Sequence, residues 1–329
     1  MNRQTNSIGE KPICNQPTII YTFLTIFRFM KTSKISLGVL AGVLTAGIFF
    51  ASCSKDDGPS LPPIGGYNSA DEVATSNLVA YWGFNGDNKE GKSGVAPDKV
   101  ENASFATGIK GQAVSLSNGY LRYPTIAGLN SANGFASFTA TAWVNAKNKD
   151  KGASSVFALN EALAAQTDWG GAIGLILETA SYKPTSDTLV LKGILGQYSG
   201  AVRAGHDNLN NFGVMGTDYQ VVKGAGKWTQ IVVRYDAAAS TIDVYGNGVL
   251  VSNKNFRLRN DGKLGALVFP TSTTVLVGGF ANASTGYTKS PIQDWQSLFN
   301  GQIDEIRVYN KALSEGDISS LYQLELAGR

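Results

Sequence analysis

Two tryptophans are the residues of this 329-residue chain best suited by type to hold a ligand. Trp169 in "AAQTDWGGAIG" and Trp295 in "SPIQDWQSLF" fall outside the clear strand patterns, and each directly follows an aspartate, Asp168 and Asp294. A sugar has an apolar face and a rim of hydroxyls, so a flat indole beside a carboxylate matches both of its surfaces. Loops of this polar, small-residue composition are where rigid scaffolds commonly carry binding. Tyr287, Tyr198 and Asn282 are candidate partners for the same ligand. In the competing reading both indoles pin long loops to the body of the protein, and apolar Phe299 close to Trp295 suits that role.

Residues for nucleophilic or zinc chemistry are scarce. His206 is the single histidine, and its surroundings "RAGHDNLNNFG" read as a polar, glycine-rich loop with no nucleophile motif beside it. Glycoside hydrolysis asks instead for two carboxylates held a set distance apart. The nearest acidic pair on a strand pattern is Asp304-Glu305, and adjacent residues point to opposite faces of a strand. Carboxylates brought together from different strands remain open.

The elements that must position these groups read as strands. "LVAYWGF" places Leu78, Ala80, Trp82 and Phe84 on one face, and "SFTATAWVN" does the same for Phe138, Ala140, Ala142 and Val144. "KWTQIVVRYD" alternates Ile231, Val233 and Tyr235 against Val232 and Arg234. In "STIDVYGNGVLVS" the pair Asn247-Gly248 supplies the positive φ angles of a tight hairpin turn. "GQIDEIRVYN" keeps Ile306 and Val308 in step but not Ile303, which predicts a bulge near Asp304. Trp82, Trp143 and Trp228 lie in or at the edge of apolar strands and are expected in the core. A single short helix is predicted from Ser314, whose hydroxyl can cap it, with Ile318, Leu321 and Tyr322 on one stripe. Many short strands, 38 glycines and one terminal helix describe an all-β, two-sheet antiparallel sandwich.

Upstream lies a segment of another kind. "ISLGVLAGVLTAGIFFA", residues 35–51, follows Met30, Lys31 and Lys34, the basic start and apolar middle of a secretory signal. A run of that length can also just span a bilayer as an uncleaved anchor. The order Phe50-Ala51-Ser52-Cys53 resembles the lipobox of bacterial lipoproteins, with phenylalanine where leucine is usual. That resemblance implies acylation of Cys53 and attachment to a membrane. Cys14, the only other cysteine, would be lost with the leader, so no disulfide is expected. Residues 1–29 read as an over-extended start, 30–53 as the signal peptide, 54–76 as a flexible tether rich in Pro, Gly, Ser and acid, and 77–329 as one domain. Asp56 and Asp57 just after the cysteine resemble the surface-export signals of Bacteroidetes-type lipoproteins, which implies the outer membrane and surface exposure. Removal of the leader takes most of the positive charge with it, leaving 23 basic and 24 acidic residues of the 28 and 25 in the whole chain. Nothing in that balance suggests a nucleic-acid partner.

Five stretches in order resemble the laminin-G-like, concanavalin A-like jelly-roll family over residues 77–325: "LVAYWGFNGD", "GIKGQAVSLSNGYLRYP", "FTATAWVN", "GKWTQIVVRYDAAASTIDVYGNGVLV" and "FNGQIDEIRVYNKALSEGDISSLY". The resemblance implies a jelly-roll sandwich whose first and last strands are neighbours. Family members include lectins, adhesion modules and hydrolases, so the fold does not choose a function. The catalytic strand of the sandwich glucanases, acid-x-acid-x-x-acid, has no counterpart here. The family often holds calcium at the rim, and the matching positions are Asn85 and Asp304, with the Gly86 and Gln302 carbonyls able to help toward the roughly six to eight oxygens calcium takes. In the alternative, Asn85 caps a turn and Asp304 satisfies backbone amides at the bulge. The expectation is a surface lipoprotein that binds glycan without catalysis, with protein adhesion or glycoside hydrolysis as alternatives.

Overall fold

The computed structural model describes residues 61–131 and 134–329; the leader, Cys53 and the first part of the expected tether lie outside the described residues. Sixteen strands follow in order: β1 Leu78–Trp82, β2 Lys99–Thr107, β3 Gln112–Tyr123, β4 Phe138–Ala146, β5 Ala153–Asn160, β6 Ile173–Leu177, β7 Thr188–Leu189, β8 Leu191–Ser199, β9 Val202–Leu209, β10 Val222–Lys223, β11 Thr229–Asp236, β12 Thr241–Gly246, β13 Val249–Leu250, β14 Thr274–Val277, β15 Gln296–Ser297 and β16 Phe299–Tyr309. The helix α1 spans Glu315–Leu326. Fourteen strands form one sheet in the order β13-β12-β11-β4-β16-β3-β14-β5-β6-β8-β9, with β1 on β16, β2 on β3 and β15 on β5, while β7 and β10 pair separately. The sheet curls so that β11 and β12 face β8 and β9, and β4 faces β5 and β6. The expected jelly-roll-like sandwich is therefore present, but its two layers are halves of one continuous ladder joined through β3, which pairs with β16 along one stretch and β14 along the next.

Alternation decides which side chains fill the space between the layers. On β4, Phe138, Ala140, Ala142 and Val144 join the central core while Trp143 points to the other face, and on β11 Ile231, Val233 and Tyr235 go in while Val232 goes out. Trp82 from the front layer meets Phe157 from the back layer and Tyr123 from β3, each with centroids 5.7 Å away. The expected closure also holds: β1 runs antiparallel to β16, with Ala80 opposite Val308 and Trp82 opposite Ile306. Asn247 and Gly248 take φ of 52° and 77° in the β12–β13 turn, as the sequence requires. The predicted bulge shows as a shift of the β16–β4 register between Asp304 and Arg307, with Glu305 at φ 46°. Trp82 and Trp143 are buried; Trp228, expected with them, is half-buried just ahead of β11.

Helix α1 starts as predicted, with Ser314 Oγ accepting from the Asp317 amide at 3.0 Å. It lies on the outer face of the front layer, where Ile318, Leu321 and Leu324 pack against Val232, Tyr245 and Tyr309, and Tyr322 stacks on Trp143 at 5.4 Å. Each fully buried aliphatic of this kind contributes about 1.5–3 kcal/mol. The tether expected over 54–76 needs correction in its described part. Ile64, Tyr67, Ala70 and Val73 join the same cluster, Tyr67 Oη donates to Asp317 at 2.7 Å, and Arg329 donates to the Pro62 and Asn68 carbonyls. Three-residue spacing of these apolar side chains gives residues 64–73 a packed stripe, so the described domain includes residues that the sequence assigned to the tether.

Candidate functional site

Trp169 and Trp295 meet on the outer face of the back layer. The loop after β5 carries Trp169, and two buried amides shape it: Gln166 Nε2 donates to Asn160 Oδ1 at 3.1 Å, and its Oε1 accepts from the Glu161 amide at 2.9 Å. Asp168 closes the loop, accepting from the Gly170 amide at 2.7 Å and from Arg203 Nη1 at 3.1 Å, while Arg203 Nε donates to the Gly171 carbonyl at 2.6 Å. Trp169 thereby lies against Ala153, Ile176, Ile194 and Phe280, an apolar patch on the side of β6 and β8 that faces away from the core.

Trp295 arrives from far along the chain. Its carbonyl accepts from the Ala153 amide at 2.6 Å, and β15, which follows at once, runs parallel to the start of β5 with Gln296 opposite Ala153. Gly152, at φ 82°, permits this approach, because a Cβ there would stand 3.0 Å from the Trp295 carbonyl oxygen. Asn282 acts here as a brace: its Oδ1 caps the Ala283–Thr285 turn, and its Nδ2 donates to Gln296 Oε1 at 2.7 Å.

The three aromatic rings interlock edge to face. Trp169 and Trp295 are 4.8 Å apart at 77°, Phe280 and Trp295 5.3 Å at 82°, and Trp169 and Phe280 5.8 Å at 76°. Phe280 is buried and Trp169 half-buried, whereas Trp295 is 39% exposed. Such pairs contribute about 0.5–1.5 kcal/mol beyond their area, so an exposed indole is held in a fixed orientation. Against Trp169 a cleft of about 180 Å³ is lined by that ring with Ile194, Lys192, Arg203, His206 and Asp207. Lys192 Nζ lies 3.0 Å from Glu178 and 3.4 Å from Asp207, so the cations along this cleft are paired. His206 belongs to the edge strand β9, opposite Leu195 on β8, rather than to a loop as its sequence suggests. Burial, with Arg259 and Arg203 nearby, holds its imidazole below the ordinary value, which keeps it neutral at pH 7.

The other candidates fall elsewhere. Asp294 is exposed next to the aromatic corner. Tyr287, expected to touch the ligand, is fully buried among Tyr120, Leu276 and Ala281, and thus offers a ligand no surface. Tyr198 is also buried but lines a second cleft adjoining the corner.

Asn85 and Asp304 do converge, on the turn between β2 and β3. Asn85 Oδ1 accepts from the Gln112 amide at 2.8 Å, and Asp304 Oδ2 accepts from the amides of Ile109 and Lys110 at 2.9 and 3.2 Å. Asp304 Oδ1 takes a further amide, that of Glu305, at 2.8 Å. A Cβ at Gly108 or Gly111 would stand 2.3 Å from Asp304 Oδ2 or 2.0 Å from Asn85 Oδ1, so glycine lets the turn sit on both oxygens. Amides aim the positive ends of their dipoles at these oxygens. The arrangement fits a clamped hairpin turn and does not fit calcium. Burial and the adjacent Glu305 push the Asp304 carboxyl up to about 8, against the pull of its amide donors.

A model of the concanavalin A-like lectin/glucanases superfamily matches residues 116–319. No curated protein matches the chain. Among solved structures, the binding domain of botulinum neurotoxin serotype G aligns with a TM-score of 0.50 at 11% identity, over 75% of this chain and 51% of that one. Domain 4 of a GH43 extracellular arabinanase from Geobacillus stearothermophilus, in complex with arabinotriose, aligns with a TM-score of 0.46 at 19% identity, over 75% of this chain and 98% of that one. The chain spans about half the length of the neurotoxin binding domain. At these identities the likeness concerns the fold.

Proposed function

The chain belongs to the concanavalin A-like lectin/glucanases superfamily, and from that premise we propose that it is a non-catalytic glycan-binding module displayed on the bacterial outer membrane through acylated Cys53. The observation that carries the binding reading is the exposed Trp295, locked edge to face against Trp169 at 4.8 Å. An exposed ring held by buried aromatics costs little entropy when a ligand stacks on it. In the cleft against Trp169, the side chains of Asp207, Lys192, Arg203 and His206 offer the donors and acceptors that sugar hydroxyls need. Binding on a glycan array that falls in Trp295→Ala supports this reading, and unchanged binding defeats it. Release of reducing ends from any bound polysaccharide would overturn the non-catalytic part. Acylation is tested by the mass of the mature N-terminus and by loss of membrane fractionation in Cys53→Ser.

Protein adhesion is favoured by a different surface. Phe212 and Phe256 stack at 4.5 Å, and Val214, Met215 and Leu258 are further exposed apolar side chains on the loops flanking β10 and β13. Pull-down of an envelope protein that sugar does not compete, lost in Met215→Asp, would support that reading.

A further inference from the structure

The second cleft adjoining the aromatic corner has a volume of about 520 Å³ and is lined by Glu161, Gln166, Asp168, Tyr198, Arg203 and Lys289. It is joined to the corner by the chain itself, since Asp168 precedes Trp169, and by Arg203, which lines both clefts. Its volume lies within the range of small-ligand sites.

One side chain in it is only loosely satisfied within the fold. Tyr198 is only 4% exposed, and its hydroxyl makes no hydrogen bond of good geometry, although Glu161 and Arg203 stand close to it. Leaving a buried polar group unsatisfied costs about 1–3 kcal/mol. Packing alone would be served by phenylalanine at this position. Tyr198 instead lies with Arg203 over Gly196, where a Cβ would stand 2.9 Å from the tyrosine ring and 2.8 Å from Arg203 Nε. The absent side chain lets both lie flat on the sheet at the cleft floor.

The charge pattern narrows the ligand. Two carboxylates, Glu161 and Asp168, stand with two cations, Arg203 and Lys289. An anion would meet both carboxylates and a cation both basic groups, whereas a polyol uses donors and acceptors together. Burial raises the Glu161 carboxyl above its ordinary value, against the pull of Tyr198 and Arg203.

We propose that this cleft is a second sugar subsite, which takes a neutral sugar residue next to the one stacked on Trp295 and receives one of its hydroxyls on Tyr198 Oη. The inference rests on the glycan reading of the aromatic corner and extends it to a chain of at least two residues.

Calorimetric titration with maltotriose, cellotriose, xylotriose, arabinotriose and mannotriose, and with the corresponding free monosaccharides, tests it on the purified protein. For the trisaccharide that binds, Tyr198→Phe should lower affinity about tenfold, the weight of one lost hydrogen bond to a buried partner. Its affinity for the matching monosaccharide should not change. Trp295→Ala should weaken both. Tyr198→Phe keeps the ring and loses only a loosely held hydroxyl, so its melting temperature without sugar should stay close to the wild type. Glu161→Gln is the second variant, with the same selective loss expected. Wild-type trisaccharide affinity in both cleft variants, alongside a loss in Trp295→Ala, overturns the subsite and leaves the corner standing. Failure of every sugar to bind overturns the corner reading and the subsite with it.

Discussion

Trp169 stands edge to face against Trp295, centroids 4.8 Å apart and planes at 77°, with the two residues delivered by loops remote in sequence. Their unequal exposure predicts unequal mutants. Trp295→Ala should abolish most sugar binding while lowering stability by about 1 kcal/mol, the weight of an aromatic pair. Trp169→Ala also uncovers Ile176, Ile194 and Phe280, so it should lose both binding and about 2–4 kcal/mol. Titration calorimetry and urea unfolding on the two variants separate these outcomes; equal stability losses would contradict the assigned roles.

Arg307 gathers three carboxylates under α1. Its guanidinium lies 2.7 Å from Glu305, 2.8 Å from Glu325 and 2.9 Å from Asp71, and Glu325 also accepts from Trp143 Nε1 at 2.6 Å. The pairs with Glu305 and Glu325 are completely buried, so removal of the cation strands both charges. Arg307→Ala should cost about 3–5 kcal/mol and expose α1 and residues 61–76 to protease. A loss of stability under 1 kcal/mol in urea would show that water replaces the arginine.

The Asp304 carboxyl, raised to about 8 in the fold, gives a signed pH dependence. Between about pH 4 and pH 8 the unfolded chain ionises this group while the folded protein keeps its proton, so stability falls as pH rises through that window. The slope is at most about 1.4 kcal/mol per pH unit for one proton. Asp304→Asn should flatten it, measured as unfolding free energy across the window. A variant with the wild-type slope would assign the effect to another group.

Calcium and its chelators should leave the melting temperature unchanged, because the Asn85 and Asp304 oxygens already hold the Gln112, Ile109 and Lys110 amides. A rise on adding calcium, lost in Asp304→Asn, would mean that the turn gives up these bonds to a metal.

What could be read from the sequence was set by neighbours along the chain. Asn247-Gly248 fixes its own turn, Ser314 caps its own helix, and the misfit of Ile303 against Ile306 announces the bulge at Glu305. What escaped was set by distant partners. Nothing near Trp295 says that β15 will lie beside β5, which alone brings it to Trp169. Strand β9 is an edge with one partner, and all but one of its residues are exposed or half-buried, so it lacks the alternation that would mark His206 as part of a strand. Tyr287 sits among polar residues in sequence and is buried by Tyr120 and Leu276 from other strands. The docked segment carries a signal that composition obscured: Ile64, Tyr67, Ala70 and Val73 recur every third residue among prolines, glycines and acids.

That recurrence has a mechanical consequence. With residues 61–76 fastened to α1, the leash between Cys53 and the folded body is eight residue steps, which reach at most about 29 Å when fully extended. The leash enters beside α1, on the outer face of one layer, while the tryptophan corner lies on the outer face of the other. Were Cys53 acylated, that length alone would set how far the folded body can stand from the lipid.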